Sequence, residues 1–493
     1  MAPDSRRSGM TVIILGLLSG TFLVRAFYPI NHDVSYFLYI ARLILEGGTQ
    51  YVDLIDHNLP LATQILLPVV MLSDWAGLPI DLALTSYIMV LVVVAWALCM
   101  VQILRWNIGD TAKFWIAAIL IAGFCYLPGY FFAQREHLFT ILIAPYLVAM
   151  ASRSAGQTIP TWFAVISGVL AGLSIGVKPH FVLVPAVMEA MLLLQRQHKL
   201  LRAENLSLLA TVTALTVYVL VVYPEWAGQI VPAALSTYGA YNEPILMVAW
   251  LIIITILFSL VYLLCRRNSH VTPSIFRILM FSILGSLFIY VLQRKGWLYH
   301  SYPLIFFIFL LFCAALASWD YADWRKARYA APALVASVLL GFLVYNIARL
   351  PDRTDLEAMS GRVQNTTGAI LVLSTGLFPG FPLVLEEKRR WASRFPGLGY
   401  LPQIATNDRA GERDQTMARW EASMRSHLVS DIKRNKPSII FVPGNTYQAQ
   451  GLPEGFDILE WLLRDPDFVA AWSRYRASGR TPKFLVYERI ESS

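Results

Sequence analysis

Four short segments concentrate the acid–base chemistry of this chain: Asn31-His32-Asp33, Gln134-Arg135-Glu136-His137, Lys178-Pro179-His180, and Gln293-Arg294-Lys295 with Tyr299-His300 close behind. A carboxylate such as Asp33 is suited to take a proton from an acceptor hydroxyl while a sugar carbon is attacked. Glu136 can share that role, orient an acceptor or hold a cation. Lys178, Arg294 and Lys295 suit a phosphate, arginine through a forked pair of bonds and lysine as a point charge. Further polar groups for a substrate are His32, Asp53, His57, Asn58, Arg135, His137, His180, Tyr299 and His300. Each has a structural alternative. Asp33 or Asn31 can cap the helix that follows. Arg135 and Glu136 can form a solvated pair, and the cations can snorkel from helix ends beside a Trp/Tyr belt. His32, Asp33, His57, Glu136 and His137 are metal-ligand types, but no His-x3-His or Glu-x-x-His spacing fixes a geometry. No metal or other cofactor is therefore expected.

The elements that must hold these residues are narrowed by composition. Of 493 residues, 57% are hydrophobic and 15% charged, against about 45–50% and about 25% in soluble domains. An ordinary soluble enzyme and a disordered chain are both excluded. The fold class is an α-helical polytopic membrane protein with about 11 transmembrane helices. Apolar runs of the length a bilayer demands predict spans near 9–29, 83–104, 113–130, 137–152, 161–177, 180–195, 205–223, 245–265, 275–292, 301–318 and 329–348. The first follows Arg6 and Arg7 and reads as a retained signal-anchor. Leu59–Leu72 is apolar but short and carries Pro68, which suggests an interfacial or re-entrant segment.

Charge orients the array. With the N-terminus cytoplasmic, fourteen Lys and Arg residues fall in cytoplasmic segments, Arg196, Lys199, Arg267, Arg325 and Lys326 among them, and six fall outside. That asymmetry obeys the positive-inside rule, and it puts all four chemical segments on the outer face. The remaining twenty cations, from Arg349 onward, face seventeen acids. The net charge of +8 is thus mostly topology, and no nucleic-acid partner is expected. Cys99, Cys125, Cys265 and Cys313 lie in apolar runs and read as small buried hydrophobes.

Two domains follow: residues 1–349, a transmembrane catalytic domain with a long first outer loop (30–82), and 350–493, a small extracytoplasmic α/β domain. The loop begins with an amphipathic helix near 33–46, stopped by Gly47-Gly48. It continues through a turn in which Asn58 caps and Pro60 opens the next helix. In 350–493, β-type runs stand at Ala369–Ser374, Ser438–Val442 and Lys483–Glu488, with a helix predicted over Phe456–Tyr475.

The stretches LEGGTQYVDLIDHNLPL, QREHLFTILIAPYLVA, GLSIGVKPHFVLVP and QRKGWLYHSYPLIFF, in this order and on one side, resemble conserved segments of the GT-C superfamily of membrane glycosyltransferases, particularly its bacterial ArnT/RgtA-like members. The resemblance covers roughly 10–320. It implies inverting transfer of a sugar from a polyprenyl-phosphate donor to an envelope glycan, lipid or protein on the outer face of the bacterial inner membrane, with the C-terminal domain periplasmic. Asp33 matches the first-loop acid that serves as candidate base, and Glu136 the second acidic position. Lys178 and Arg294-Lys295 match residues facing the donor phosphate. Many relatives carry an acidic pair in the first loop, whereas here Asp33 is followed by Val34. Competing readings are a transporter or flippase of lipid-linked glycans and an O-antigen ligase or polymerase-like enzyme. Absent repeat halves and unbroken mid-membrane segments count against the first. The long loop's early position counts against the second.

Overall fold

The computed structural model describes residues 3–195, 200–266, 273–317, 327–412, 415–444 and 451–490. Arg196, Lys199, Arg267, Arg325 and Lys326, used above to orient the chain, lie outside the described residues. A helix lies over each predicted apolar stretch: Pro3–Arg25, Ile80–Ile103, Asp110–Tyr126, Arg135–Ser154, Thr161–Val177, Leu183–Leu194, Ala203–Val222, Pro244–Arg266, Pro273–Gln293, Tyr302–Ala317 and Ala327–Ala348. Among the described residues, five helical stretches are long and apolar enough to cross a membrane: Ile80–Ile103, Arg135–Ser154, Ala203–Val222, Pro273–Gln293 and Leu298–Leu316. Leu209, Val221, Ile245 and Leu260 on the outer helices are exposed, as suits a surface whose solvent is lipid. Cys99, Cys125 and Cys313 are buried free thiols, while the Cys265 side chain lies outside the described residues.

The chain divides into two compact units. The first comprises Met1–Pro29, Met71–Thr216 and Glu243–Leu350. Its central helix, Arg135–Ser154, is 89% buried despite Pro145 in its interior. Around it pack Ile80–Ile103 and Thr161–Val177. Helix Pro273–Gln293 lies along Leu183–Leu194 and Tyr302–Ala317. Gly285 permits the first of these contacts, since a Cβ there would stand 2.9 Å from the Val184 Cα. The predicted cytoplasmic ends are tied by an ion network: Arg153 and Arg202 both donate to the wholly buried Glu204, and Arg202 reaches Glu189 at 2.5 Å.

The second unit joins Ile30–Val70, Val217–Asn242 and Pro351–Ser493. Its sheet contains β1 (Ile370–Val372), β2 (Ile439–Pro443), β3 (Tyr475–Arg480) and β4 (Phe484–Arg489), ordered β1-β2-β4-β3. β1 and β2 are parallel, and the other pairs are antiparallel. Three strands coincide with the predicted β runs. β3 does not: its sequence YRASGR has no apolar alternation, and its register shifts between Ala477 and Gly479. The helix predicted over Phe456–Tyr475 is instead two, Ile458–Leu463 and Pro466–Trp472. Asp465 caps the second and Pro466 opens it, because proline tolerates only a first-turn position.

The first loop is held within this second unit. Tyr36 and Tyr39 of helix His32–Leu45 meet Phe381 edge-on, and the Tyr39 hydroxyl accepts the Trp391 N–H at 2.8 Å. The Ile55 N–H donates to the Arg394 carbonyl. From the other side, Gln64 donates to the Tyr218 and Tyr223 hydroxyls at 2.8 and 3.0 Å, and Tyr51 stacks edge-on against Tyr223. The apolar run Leu59–Leu72 becomes two helices, Leu61–Gln64 and Leu67–Ala76. Asn58 does not cap the first of them; its side chain turns back to Asp56.

Candidate functional site

Three chain segments of the helical unit converge on Lys178. This lysine terminates helix Thr161–Val177, whose C-cap it forms in extended conformation. Its ammonium donates to Glu136 Oε1 at 2.7 Å and to Gln293 Oε1. Glu136 stands in the first turn of helix Arg135–Ser154 and is wholly inaccessible. Gln293 ends helix Pro273–Gln293, and its amide is fixed by donating to the Ile289 carbonyl at 3.1 Å. Tyr299 places its ring 5.8 Å from the same ammonium. The Lys178–Glu136 pair is therefore buried and geometrically constrained, not the solvated Arg135–Glu136 pair that sequence left open.

Further titratable groups surround it. His180 lies in the field of Lys178, Arg135 and Glu136. His300, also buried, lies in the field of Lys178, Arg135, His180 and Lys295. Its Nδ1 has no hydrogen-bonding partner among the described residues. Burial lowers the Lys295 ammonium to about 8. The neighbouring Arg294 behaves differently: it turns through φ 54° and is exposed, while Lys295 is buried. Within this unit, Arg135, Lys178 and Lys295 gather around His300, and Glu136 holds Lys178. Cations brought together in a desolvated setting suit an anion.

The second unit buries carboxylates, Asp33 and Asp56. Asn31 is the N-cap of helix His32–Leu45, its Oδ1 accepting the Asp33 N–H at 2.9 Å. Asp33 is thereby relieved of capping. Its carboxylate lies in the helix's first turn, where the aligned peptide dipoles stabilise the ionised form, and 3.5 Å from His32 Nε2. Asp56 is buried; its Oδ1 accepts the Asn58 N–H and side-chain amide at 3.0 and 2.6 Å. Its Oδ2 has no hydrogen-bonding partner among the described residues. The Tyr36 hydroxyl faces Asp56 without closing a hydrogen bond, and burial plus that carboxylate's charge push the phenol well above its ordinary range. Burial likewise raises Tyr51, whose hydroxyl donates to the Asn58 carbonyl at 2.6 Å.

The structure thus groups Arg135, Glu136, Lys178, His180, Lys295, Tyr299 and His300 in one unit, and His32, Asp33, Asp53, His57 and Asn58 in the other. Asp53, His57 and, in the first unit, His137 make structural contacts. His137 is buried between the Ala133 N–H, at 3.0 Å from Nδ1, and the Phe124 carbonyl, 2.8 Å from Nε2. Asp53 accepts the Thr49 N–H within its own turn. His57 offers its carbonyl to Trp226 Nε1 at 3.2 Å. Among the described residues, no group of three or more His, Cys, Asp or Glu is arranged to hold a metal ion. The spacing argument did not select Gln293, Tyr36, Tyr51 or Asp56. Gln293 had a signal, as a polar residue closing an apolar span; Asp56 had the Asp-x-Asn pattern of a side-chain-bonded turn.

No protein-family model matches the sequence, and no curated protein matches it. Among solved structures, the chain is similar to the crystal structure of ArnT from Cupriavidus metallidurans bound to undecaprenyl phosphate. The TM-score is 0.59 at 12% identity, over 100% of this chain and 99% of that one. The chain shares the fold of that protein.

Proposed function

We propose that this chain is an inverting glycosyltransferase of the bacterial inner membrane, moving a sugar from a polyprenyl-phosphate donor to an envelope glycan, lipid or protein on the outer face. In this reading eleven helices span the bilayer and the sheet-bearing segment is periplasmic. The observation that carries it is the gathering of Arg135, Lys178 and Lys295 around buried His300; a fold shared with an undecaprenyl-phosphate-bound protein supports it. A glycosyl polyprenyl phosphate is a phosphodiester with one negative charge. As the sugar departs, the polyprenyl phosphate becomes a monoester and gains a second. Arg135, Lys178, Lys295 and His300, whose Nδ1 has no hydrogen-bonding partner among the described residues, are suited to that growing charge, an electrostatic contribution realised mainly in the transition state.

Asp33 is the candidate base. The acceptor oxygen bonds to the anomeric carbon as its proton passes to Asp33. The carbon–oxygen bond to phosphate breaks with its electron pair leaving on the phosphate. Glu136 acts as a positioning residue, its Oε1 holding the Lys178 ammonium. The test is incubation of the purified protein with a panel of polyprenyl-phosphate sugars and acceptor membranes. Consumption of one donor with formation of a glycosylated product is expected. Passage of a lipid-linked glycan across a bilayer, with no donor cleaved, would overturn the assignment in favour of a transporter.

A further inference from the structure

His137 stands outside both polar clusters, yet its bonds converge on the turn that delivers two members of the first. Between helices Asp110–Tyr126 and Arg135–Ser154 the chain reverses through LPGYFFAQ. Gly129 and Ala133 both adopt the left-handed region there, at φ 50° and 65°. Glycine does so freely. In alanine the Cβ crowds the following carbonyl, and the conformation persists only where the surroundings hold it. Phe132, Ala133 and Gln134 are all buried, so the hold comes from protein groups.

His137 provides it. Its Nδ1 accepts the Ala133 N–H at 3.0 Å, and its Nε2 lies 2.8 Å from the Phe124 carbonyl. A backbone N–H only donates and a carbonyl only accepts, so these partners dictate the tautomer: hydrogen on Nε2, lone pair on Nδ1. A ring so committed takes up no proton without breaking the Ala133 bond. Its plane is fixed from two sides. Phe132 tilts against it with centroids 5.0 Å apart, and Tyr302 meets it edge-on at 5.8 Å. Arg25 lies over Phe132, 4.6 Å from the ring centroid, and its Nη1 donates to the Gly129 carbonyl at 3.0 Å. Arg25 thus braces the turn twice, at Gly129 directly and at Ala133 through Phe132 and His137.

We infer that His137 is a positioning residue for the anion cluster: by holding Ala133 in its left-handed turn, it aims the first turn of helix Arg135–Ser154 and so places Arg135 and Glu136. Gln134, between the turn and the helix, is an N-cap without a side-chain capping bond, which leaves the direction of helix entry to Ala133. Glu136 follows closely and meets the Lys178 ammonium at 2.7 Å, a contact that a swing of the turn would break. The consequence for binding rests on the donor-phosphate reading of the Lys178 cluster, whereas the clamp on Ala133 does not.

Two substitutions separate the two bonds of the ring. Asparagine offers an acceptor near the place of Nδ1, and glutamine a donor near the place of Nε2. The full-length protein in detergent would be titrated with undecaprenyl phosphate, and hydrogen exchange followed over 129–138. His137→Asn keeps the Ala133 bond and is expected to bind within about twofold of the parent. His137→Gln keeps only the Phe124 bond, and a loss of about tenfold is expected. Exchange should quicken in that variant at the Gln134 and Leu138 N–H groups, which donate to the Phe131 and Gln134 carbonyls. Ala133→Gly removes the strain that the clamp opposes. Added to His137→Gln, it should return affinity to within about threefold of the parent and slow the exchange again. A double variant no better than His137→Gln, or His137→Asn as poor as His137→Gln, would show that the ring serves the core alone and would overturn the inference. If the parent binds no undecaprenyl phosphate, the donor reading falls, and the exchange rates of the same variants still decide the clamp.

Discussion

The helical unit and the loop-and-sheet unit both bury charge, with opposite sign and opposite handling. In the first, the Lys178 ammonium is fixed by Glu136 and Gln293, and further cations gather around it. In the second, Asp56 is buried with the Asn58 amide and N–H on its Oδ1, and the Asp33 carboxylate lies 3.5 Å from His32. A buried ion pair is tolerable because each charge meets its counterion, whereas a lone buried carboxylate depends on hydrogen-bond donors. In the proposed reading the contrast separates two tasks, anion binding around Lys178 and acceptance of a hydroxyl proton by Asp33.

The sharpest way to break this contrast is Asp33→Asn. Asn31 remains as the cap, so helix His32–Leu45 should persist with a loss of no more than about 1 kcal/mol from the missing first-turn charge. Transfer should fall by about 10²–10⁴-fold, the usual contribution of a general base. Donor binding, measured separately by equilibrium titration, should be unchanged. Normal turnover in this variant would remove Asp33 from the chemistry.

Lys178→Met attacks the opposite cluster. It strands the wholly buried Glu136, so unfolding stability should drop by about 3–5 kcal/mol. Adding Glu136→Gln should recover most of that stability but none of the donor affinity. If the double variant binds donor as the parent does, the cationic cluster is structural and the anion site lies elsewhere.

The sequence exposed these clusters unequally. All members of the Lys178 group except Gln293 were selected from residue type and membrane side, since an ionisable group at the end of an apolar span is costly and conspicuous. Period and length likewise predicted a helix over each apolar stretch. The long-range partners were illegible. Nothing local indicates that Tyr36 meets Phe381, or that Tyr51 and Gln64 meet Tyr223 and Tyr218, because those contacts join segments more than 150 residues apart. Three errors or omissions also have local causes. Pro466 splits the predicted helix, Gly479 and the arginines disguise β3, and Asn58 prefers an Asp56-bonded turn to a cap. Asp33 versus Asn31 as cap was open from sequence, since either type serves, and is decided by the Asn31 hydrogen bond.

A smaller effect separates Lys295 from its neighbours. Burial lowers its ammonium to about 8, so the group is charged below that pH and neutral above it. Donor affinity should therefore fall as pH rises through about 8, by up to about tenfold for one charge lost in a partly desolvated cluster. Bound phosphate, being negative, moves the midpoint upward. Lys295→Arg keeps its charge throughout this range and should make affinity flat between about pH 7 and pH 9.5. A pH profile identical in both proteins would exclude Lys295 from the anion site.

The smallest expected effect tests the acidic side most finely. The Tyr36 hydroxyl is buried, lacks a hydrogen-bonding partner among the described residues and faces Asp56. If it served only the fold, Tyr36→Phe would cost stability. Its unpaired state says the reverse: removing a buried, unsatisfied hydroxyl should leave unfolding free energy unchanged or raise it by up to about 1 kcal/mol. The ring contacts with Phe37 and Phe381 are retained by phenylalanine. A hydroxyl kept at that cost beside the Asp56 carboxylate is accounted for by a ligand that completes its hydrogen bond. The variant should then raise KM for one substrate by a few-fold while kcat changes less, the pattern of lost binding without lost chemistry. A fall in stability with unaltered KM would mean that the tyrosine belongs to the core, and the contrast between the two units would reduce to the carboxylates alone.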